Sequence, residues 1–336
     1  MNAAPRVAVS MGDPTGIGPE VTLAALQKRG LRRLLRPILV GDLGTFVDAA
    51  RRLRAPLRFA AWEPSQPLPR GAIAVREVAT LPARRRRPGH PTLAGGRAAH
   101  AAIVEALRLV REGAADALTT APICKANLVA AGIKVSGHTE LLAQLCGGVP
   151  VRMMMIGDIL RVALVTTHLA LRAVPDAFDA ADVLTTIRIA DRALRERFRF
   201  RRPRLGVAGL NPHAGEQGVF GDEDIRVIAP AVRRARRLGI DARGPLAADS
   251  LFPLARTGHF DAVVCMYHDQ GLAPFKLLHF ADGVNFTAGL PVVRTSPDHG
   301  TAHDIAGRGL ADPSSMTAAL RMAALLAGRR PTPTRA

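Results

Sequence analysis

The chain has 336 residues, 48% of them hydrophobic, and a formal net charge of +18 at pH 7. This length and composition predict a globular protein of about two domains and exclude a collagen-like or disordered chain. No apolar run reaches the ~18 residues of a membrane span, no signal-peptide pattern opens the chain, and the three cysteines form no CxxC pair. We therefore expect a cytoplasmic protein with reduced thiols and no membrane partner.

The positive charge comes from arginines that are scattered over many segments rather than gathered in one basic stripe. Aromatic residues make up only 4% of the chain, so few stacking platforms for single-stranded nucleic acid are available. We expect no nucleic-acid partner, because an anionic small substrate would use only a few of these charges. A basic nucleic-acid-binding protein stays the alternative from another functional class, and salt-dependent retention on DNA would favour it.

Strands and helices alternate through the first half of the chain. The patterns predict strands over residues 6–10, 37–41, 57–60, 72–75 and 115–120, and helices over residues 20–28, 43–53 and 92–112. The glycine-rich turn at residues 11–19 follows the first strand, where a phosphate could bind at a helix N-terminus. It matches neither GxGxxG nor a Walker A sequence, so a structural turn explains it equally well. The run RRRRPGHP at residues 84–91 predicts an exposed loop.

The second half continues the alternation. The patterns predict helices over residues 138–146, 179–198, 222–238, 300–307 and 313–326, and strands over residues 151–156, 160–166, 204–210 and 262–266. The strands over 151–156 and 160–166 read as an antiparallel pair, and residues 245–250 read as a loop that carries Asp249. Strands alternating with helices indicate a doubly wound, largely parallel α/β fold.

Three histidines share one context, since His168, His213 and His268 each follow a predicted strand within a few residues. The separations are long enough for a strand and a connecting helix, so the three strand ends can lie on one edge of a parallel sheet. Three neutral imidazoles with an open position suit zinc or a similar divalent ion. No compact pattern such as HExxH supports this, so three separate structural histidines remain the alternative.

Residues that could bind an anion lie before and after the three histidines in the sequence. Lys276, Asn285 and Arg294 each lie beside a short apolar run downstream of His268. His138 and Thr139 open a predicted helix, where a hydroxyl and unpaired backbone N–H groups could hold an anion. A threonine helix cap with an exposed histidine is the structural alternative.

The order of the polar motifs resembles the 4-hydroxythreonine-4-phosphate dehydrogenase family of vitamin B6 biosynthesis over nearly the whole chain. The motifs are GDPTGIGPE at 12–20, SGHTE at 136–140, TTHL at 166–169, GLNPHAGE at 209–216, GP and AD at 244–249, MYHDQG at 266–271, GVN, GLP, RTS and DHGTA within 283–302, and AGRG at 306–309.

The resemblance implies a fold similar to isocitrate and isopropylmalate dehydrogenases, with two α/β domains around a cleft. We expect one domain from residues 1–135 with 300–336, and a second from residues 136–299 that carries the metal ligands and the dimer interface. The family holds its metal with three histidines and shares the site across a homodimer, so His268 of one subunit would join His168 and His213 of the other. The implied substrate-binding residues are His138, Thr139, Lys276, Asn285 and Arg294, and the candidate catalytic residues are Lys276, Asp249 and Asp269.

The implied reaction is an oxidation with NAD, or NADP, and one divalent ion per site, Zn²⁺ first with Mg²⁺ and Co²⁺ as alternatives. It oxidises the 3-hydroxyl of 4-phosphohydroxy-L-threonine and then releases CO₂ to give 3-amino-2-oxopropyl phosphate. Residues 119–125 read TTAPICK where the family often has TGPxxK, and this form resembles paralogues that oxidise 4-phospho-D-threonate or 4-phospho-D-erythronate. A zinc hydrolase with Asp249 or Asp269 as general base is a further alternative, which NAD reduction would exclude.

Overall fold

The structure is a computed structural model that describes residues 4–133 and 137–328. Its strands are β1 (Arg6–Ser10), β2 (Arg36–Gly41), β3 (Phe59–Ala61), β4 (Ile73–Glu77), β5 (Ala117–Thr120), β6 (Arg152–Ile156), β7 (Arg161–Leu164), β8 (Arg204–Ala208), β9 (Asp241–Leu246), β10 (Ala262–Cys265), β11 (Val284–Ala288) and β12 (Arg294–Pro297). Its α-helices are α1 (Gly18–Gln27), α2 (Arg29–Leu34), α3 (Leu43–Arg52), α4 (Leu93–Arg111), α5 (Lys125–Ala130), α6 (His138–Leu145), α7 (Ala180–Glu196), α8 (Ala229–Arg237), α9 (Ala248–Arg256), α10 (His268–His279) and α11 (Ser314–Ala327). The predicted α/β class is confirmed, and none of the helices within these ranges has the length and apolar character needed to cross a bilayer.

The chain forms two compact units. The first contains the described residues up to Val149 and those from Leu290 onward, and the second runs from Pro150 to Gly289. The boundaries expected from the sequence lie elsewhere, near residues 135 and 300. His138, Thr139 and Arg294 consequently belong to the first unit, whereas the sequence-based boundaries assign them to the second.

The strands of the first unit run in the order β3-β4-β2-β1-β5-β12, and every pair is parallel. The inner strands β1 and β5 are almost wholly buried, as their runs of aliphatic residues predict for a parallel sheet covered on both faces. Thr92 caps the N-terminus of helix α4, since its Oγ1 accepts a hydrogen bond of 3.0 Å from the Gly95 N–H. Strand β12 returns from late in the sequence and pairs Arg294 with Leu118 of β5.

The strands of the second unit run in the order β11-β6-β7-β10-β8-β9. Strand β6 is antiparallel to both neighbours, which confirms the predicted antiparallel pair, and β7, β10, β8 and β9 are mutually parallel. Because β7, β10 and β8 are adjacent and parallel, the residues that follow them lie at one edge of the sheet. Those residues include His168, His268 and His213.

Three regions differ from the sequence-based expectation. The helix predicted over 300–307 is wrong, because these residues form turns in which Ala302 has φ 40° and Gly307 has φ 77°. The loop predicted over 245–250 is also wrong, since these residues finish β9 and begin α9. The predicted exposed loop at 84–91 is largely exposed, but Arg86 donates from Nε to Asp48 Oδ2 at 2.6 Å and is half-buried.

Candidate functional site

Two of the three histidines lie side by side at the edge of the second unit's sheet. Thr166 donates from both its backbone N and its Oγ1 to the Met266 carbonyl, at 3.1 and 2.7 Å. These bonds tie the loop after β7 to the end of β10. As a result the rings of His168 and His268 have centroids 5.6 Å apart. The expectation that strand ends bring these imidazoles together is met for this pair.

His268 begins helix α10, which the sequence patterns did not predict. Its Nδ1 lies 2.7 Å from Asp269 Oδ1, and a carboxylate so placed accepts the Nδ1–H. This leaves Nε2 as the nitrogen with a lone pair, which is the arrangement of a metal-ligating histidine whose other nitrogen is held by an acceptor. The Asp269 side chain is 86% exposed, so it orients the ring from the solvent side.

His213 lies in a turn of unusual backbone conformation. Residues His213, Ala214, Gly215, Glu216 and Gln217 all have positive φ, with values of 53°, 54°, 80°, 40° and 57°. L-residues other than glycine avoid this left-handed region, and consecutive residues in it are rare. The turn leaves the His213 side chain exposed beside Phe220, with ring centroids 6.3 Å apart.

Gln270 joins the His213 loop to the His268 turn. Its Oε1 accepts from the Met266 N–H at 2.7 Å, and its Nε2 donates to the Gly209 carbonyl at 2.6 Å. The three histidine-bearing loops are therefore fixed to one another through backbone atoms. The sequence does not indicate this role beyond placing Gln270 between His268 and Gly271.

The imidazole nitrogens of His168, His213 and His268 are donors of the kind that a divalent metal ion prefers. Within residues 4–133 and 137–328, no three His, Cys, Asp or Glu side chains are grouped closely enough to hold an ion. The separation of His168 and His268 is nevertheless close to the distance of about 5 Å between two imidazole rings on one tetrahedral zinc. His168 and His268 therefore lie at a spacing that suits one ion, whereas His213 lies on an exposed turn.

The first unit contains a buried cation. Arg294 is only 2% exposed, and its Nε and Nη2 donate to Thr120 Oγ1 at 3.2 and 2.6 Å. Burial lowers the pKa of Arg294 to about 9, and Glu140 partly opposes this. A guanidinium held in this way against an uncharged hydroxyl is suited to receiving an anion.

His138 lies next to this cation at the start of α6. Burial lowers its pKa well below the usual range, and the charges of Arg294 and Lys125 lower it further. The ring is therefore neutral at neutral pH. Its Nε2 is buried and has no hydrogen-bond partner among the described residues. A buried ring nitrogen in this state can bind a hydroxyl or phosphate group of a ligand. Thr139 follows on the same helix, half-buried, and Ser136 of the SGHTE motif lies outside the described residues.

The other predicted substrate and catalytic residues lie in the second unit. Lys276 on α10 is half-buried, and its Nζ lies 6.0 Å from the centre of the Phe280 ring. The Asn285 Oδ1 on β11 is buried, with no hydrogen-bond partner in the part of the chain that the structure describes. Asp249 is exposed at the start of α9, where its Oδ1 accepts from the Ser250 N–H at 2.8 Å.

Other parts of the chain pack against the glycine-rich turn at residues 11–19 and occupy the space that a phosphate would need. All of its residues are buried, and the Ile17 N–H donates to the Thr301 carbonyl at 2.9 Å. A Cβ at Gly12, which has φ 72°, would lie 2.4 Å from the Pro122 carbonyl oxygen. The glycine is needed for close packing, and the structural explanation of this turn is favoured over a phosphate loop.

Comparison with known proteins gives consistent matches. Residues 33–323 match the family model described as pyridoxal phosphate biosynthetic protein PdxA. The chain is 51% identical over 331 residues to the 4-hydroxythreonine-4-phosphate dehydrogenase of Geobacter metallireducens, covering 97% of this chain and 96% of the relative. A relative of the same name from Desulforapulum autotrophicum is 45% identical, with 96% of each chain covered.

Solved structures agree with these sequence matches. The 4-hydroxythreonine-4-phosphate dehydrogenase of Klebsiella pneumoniae superposes with a TM-score of 0.86 at 40% identity, covering 96% of this chain and 100% of the other. A terephthalate 1,2-cis-dihydrodiol dehydrogenase from Burkholderia xenovorans superposes with a TM-score of 0.65 at 34% identity, covering 97% and 98%.

Proposed function

Because the chain belongs to the PdxA family of pyridoxal phosphate biosynthetic proteins, we propose that it is a cytoplasmic dehydrogenase acting on 4-phosphohydroxy-L-threonine. The reaction oxidises the 3-hydroxyl of this substrate with NAD, or NADP, in the presence of a divalent ion. The resulting β-keto acid loses CO₂ to give 3-amino-2-oxopropyl phosphate for pyridoxal 5'-phosphate synthesis. The names of the relatives support the substrate.

The observation that carries this proposal is the buried Arg294. Its guanidinium is buried and presents a fork of N–H donors that suits a phosphate or a carboxylate, and the substrate has both. The neutral His138 adds a ring nitrogen beside it, and Thr139 adds a hydroxyl at the start of α6. This group of residues binds one anionic end of the substrate.

The second unit carries the other residues that the family resemblance assigns to the substrate. Lys276 provides a point charge, and the buried Asn285 Oδ1 accepts from a hydroxyl or ammonium group of the substrate. Lys276, Asp249 and Asp269 are the groups proposed to take up or return a proton. Asp249 and Asp269 are exposed, so either can exchange that proton with water.

His168, His213 and His268 would hold the metal ion, Zn²⁺ first and Mg²⁺ or Co²⁺ as alternatives. When bound, such an ion lowers the pKa of a coordinated hydroxyl and stabilises negative charge that develops on oxygen. Asp269 keeps the His268 ring in the tautomer that presents Nε2, and the bonds from Thr166 to Met266 fix the loop that carries His168.

We propose that the protein is a homodimer and that the metal site is shared between subunits. Leu277 is 86% exposed and Phe280 is 83% exposed at the end of α10, the helix that also carries His268 and Lys276. Large apolar side chains exposed together are typical of a protein interface. A second copy of the chain would cover these two side chains and supply a histidine to the metal site.

Mixing inactive single variants tests the shared site. His168→Ala, His213→Ala and His268→Ala are exchanged in pairs under conditions in which heterodimers form, as mass spectrometry confirms. Two variants restore one intact site per heterodimer only if their histidines come from different subunits. The resemblance predicts recovery for His268→Ala with His168→Ala, whereas the proximity of these two rings favours recovery only in pairs that include His213→Ala. Recovery in no pair would reject the shared site.

A substrate panel tests the reaction itself. NADH absorbance is followed with 4-phosphohydroxy-L-threonine, 4-phospho-D-threonate and 4-phospho-D-erythronate. We expect the highest kcat/KM with the first, together with stoichiometric CO₂. A preference for either sugar acid would instead identify the paralogous dehydrogenase suggested by the TAPICK segment, and absence of NAD reduction with all three would reject a dehydrogenase of this type.

A further inference from the structure

The left-handed turn that carries His213 is supported by contacts from outside its own residues. Four of its five positive-φ residues, His213, Ala214, Glu216 and Gln217, are not glycine. Their backbone conformation is disfavoured, and such conformations persist only where the surroundings hold them. Hydrogen bonds within the turn contribute to this, since the Ala214 N–H donates to the Asn211 carbonyl and the Phe220 N–H donates to the Gly215 carbonyl, each at 3.1 Å.

Asp224 supplies the external support. Its carboxylate is completely buried, and it faces the chain that leads into the turn. Oδ1 accepts from the Leu210 N–H at 2.8 Å, and Oδ2 accepts from the Asn211 N–H at 3.2 Å and from Asn211 Nδ2 at 3.1 Å. One carboxylate therefore fixes two consecutive backbone N–H groups immediately before Pro212 and His213.

The packing around Asp224 leaves this carboxylate little freedom to move. A Cβ at Gly209 would lie 2.6 Å from Asp224 Oδ1 and 2.8 Å from Ala214 Cα, so the carboxylate, the strand end and the turn are in close contact. A Cβ at Gly215 would lie 3.2 Å from Asp224 Oδ2 and 2.8 Å from the Gly221 carbonyl oxygen. Glycines at these two positions allow the turn to close over the carboxylate.

We propose that Asp224 is a positioning residue for His213, which it presents to the metal ion by holding the left-handed turn in place. Asp224 is buried beneath the turn and acts through the backbone of Leu210 and Asn211. The inference rests on the proposed function only in taking His213 as a ligand. Removing an outer support of a metal ligand typically weakens metal affinity about 10- to 100-fold.

The test is Asp224→Asn in the full-length protein. The substituted amide keeps the shape of the side chain, but it can accept from only one of the two backbone N–H groups and turns an N–H₂ toward the other. Binding of Co²⁺ is titrated by its absorption spectrum, well below the melting temperature of each variant. Asp222→Asn is the matched control, because Asp222 is an exposed carboxylate two residues away that pairs with Arg226.

We expect Asp224→Asn to bind Co²⁺ at least about tenfold more weakly than wild type, with a changed absorption band, while Asp222→Asn binds normally. Hydrogen exchange of the segment 209–220 should become faster in Asp224→Asn. Unchanged Co²⁺ affinity in a folded Asp224→Asn protein would overturn the inference. If wild type itself bound no Co²⁺, the proposed metal function would fail. That outcome differs from Co²⁺ binding that is equal in wild type and Asp224→Asn, which overturns this inference alone.

A second substitution separates positioning from general stability. Ala214→Gly lowers the conformational cost of the left-handed turn without touching the carboxylate. Added to Asp224→Asn, it should restore part of the lost Co²⁺ affinity, and no recovery would argue against a role through the turn. If Asp224→Asn does not fold, Asp224→Glu takes its place, since it retains an acceptor but displaces it by one methylene. Wild-type Co²⁺ affinity in Asp224→Glu would then overturn the inference.

Discussion

Two turns of this chain look alike in sequence but differ in burial and in backbone conformation. Residues 11–19 and residues 209–218 both follow a parallel strand, and both contain three glycines and at least one proline. The first turn is entirely buried, and its three glycines lie against the backbone of Pro122, Thr301 and Met11. The second is mostly exposed from Pro212 onward and places non-glycine residues in the left-handed region.

The difference shows how a glycine-rich turn after a strand should be interpreted. In the first turn the glycines exist because neighbouring backbone occupies the space of a side chain. In the second, residues other than glycine adopt a strained backbone on an exposed turn, and such strain is common at functional sites. The two turns are distinguished by their exposure to solvent and by whether residues other than glycine are strained. Their glycine content does not distinguish them.

The largest effect expected from this contrast is that of His213→Ala. The exposed side chain supports no core contacts, so the melting temperature should stay close to that of wild type without metal. Loss of a metal ligand should lower kcat/KM by at least about a thousandfold, which is about 4 kcal/mol of transition-state stabilisation. Full metal content in the purified variant by elemental analysis would contradict the assignment.

Gly12→Ala tests the opposite side of the comparison. Its Cβ would lie 2.4 Å from the Pro122 carbonyl oxygen at a φ of 72°, so the free energy of unfolding should fall by about 2–4 kcal/mol. Urea denaturation measures this loss. Gly218→Ala is the matched control in the second turn, because it also has positive φ but meets nothing closer than Ile225 Cδ1 at 3.8 Å, and it should cost about 1 kcal/mol. Equal losses would show that the first turn is not distinguished by packing.

Arg294→Met tests whether the buried cation of the first unit, rather than its glycine-rich turn, binds the anionic substrate. Replacing a buried charge by an apolar side chain of similar length should leave stability unchanged or raise it. The KM for the substrate should rise by about 10- to 100-fold, because an anion loses its charge-assisted donors. A large fall in melting temperature with an unchanged KM would assign Arg294 a structural role.

Ala214→Gly alone is expected to give the smallest effect. With φ 54° at this position, glycine should increase the free energy of unfolding by roughly 0.5–1 kcal/mol. Chemical denaturation of the metal-free protein measures the change. Destabilisation instead would indicate that the Ala214 methyl group contributes packing that outweighs the backbone strain.

The sequence predicted the aliphatic strands of the sheet better than it predicted helix α10 and strand β12. Regular aliphatic strands such as β1, β8 and β10 were found nearly in place, because periodicity and burial agree there. Helix α10 was missed because Gly271 and Pro274 interrupt its pattern. Strand β12 was missed because it begins with the sequence RTS, which is polar yet wholly buried.

Contacts around the candidate site could be predicted where strand order indicates them, and other contacts could not. The proximity of His168 and His268 follows from strand order, which the alternation of elements indicates. Asp224 and Gln270 carry no such signal. Each is one polar residue in a polar stretch, and only the structure shows that its side chain binds backbone groups of a histidine-bearing loop.

The division of the chain has a consequence for its biosynthesis. The second unit is continuous in sequence from Pro150 to Gly289, whereas the first unit needs β12, which pairs with β5 across more than half of the chain. During translation the second unit can therefore fold while the first still lacks a strand. A nascent chain that ends at Gly289 should yield a protease-resistant fragment from the second unit alone. The earliest residues to leave the ribosome would be among the last to reach their final structure.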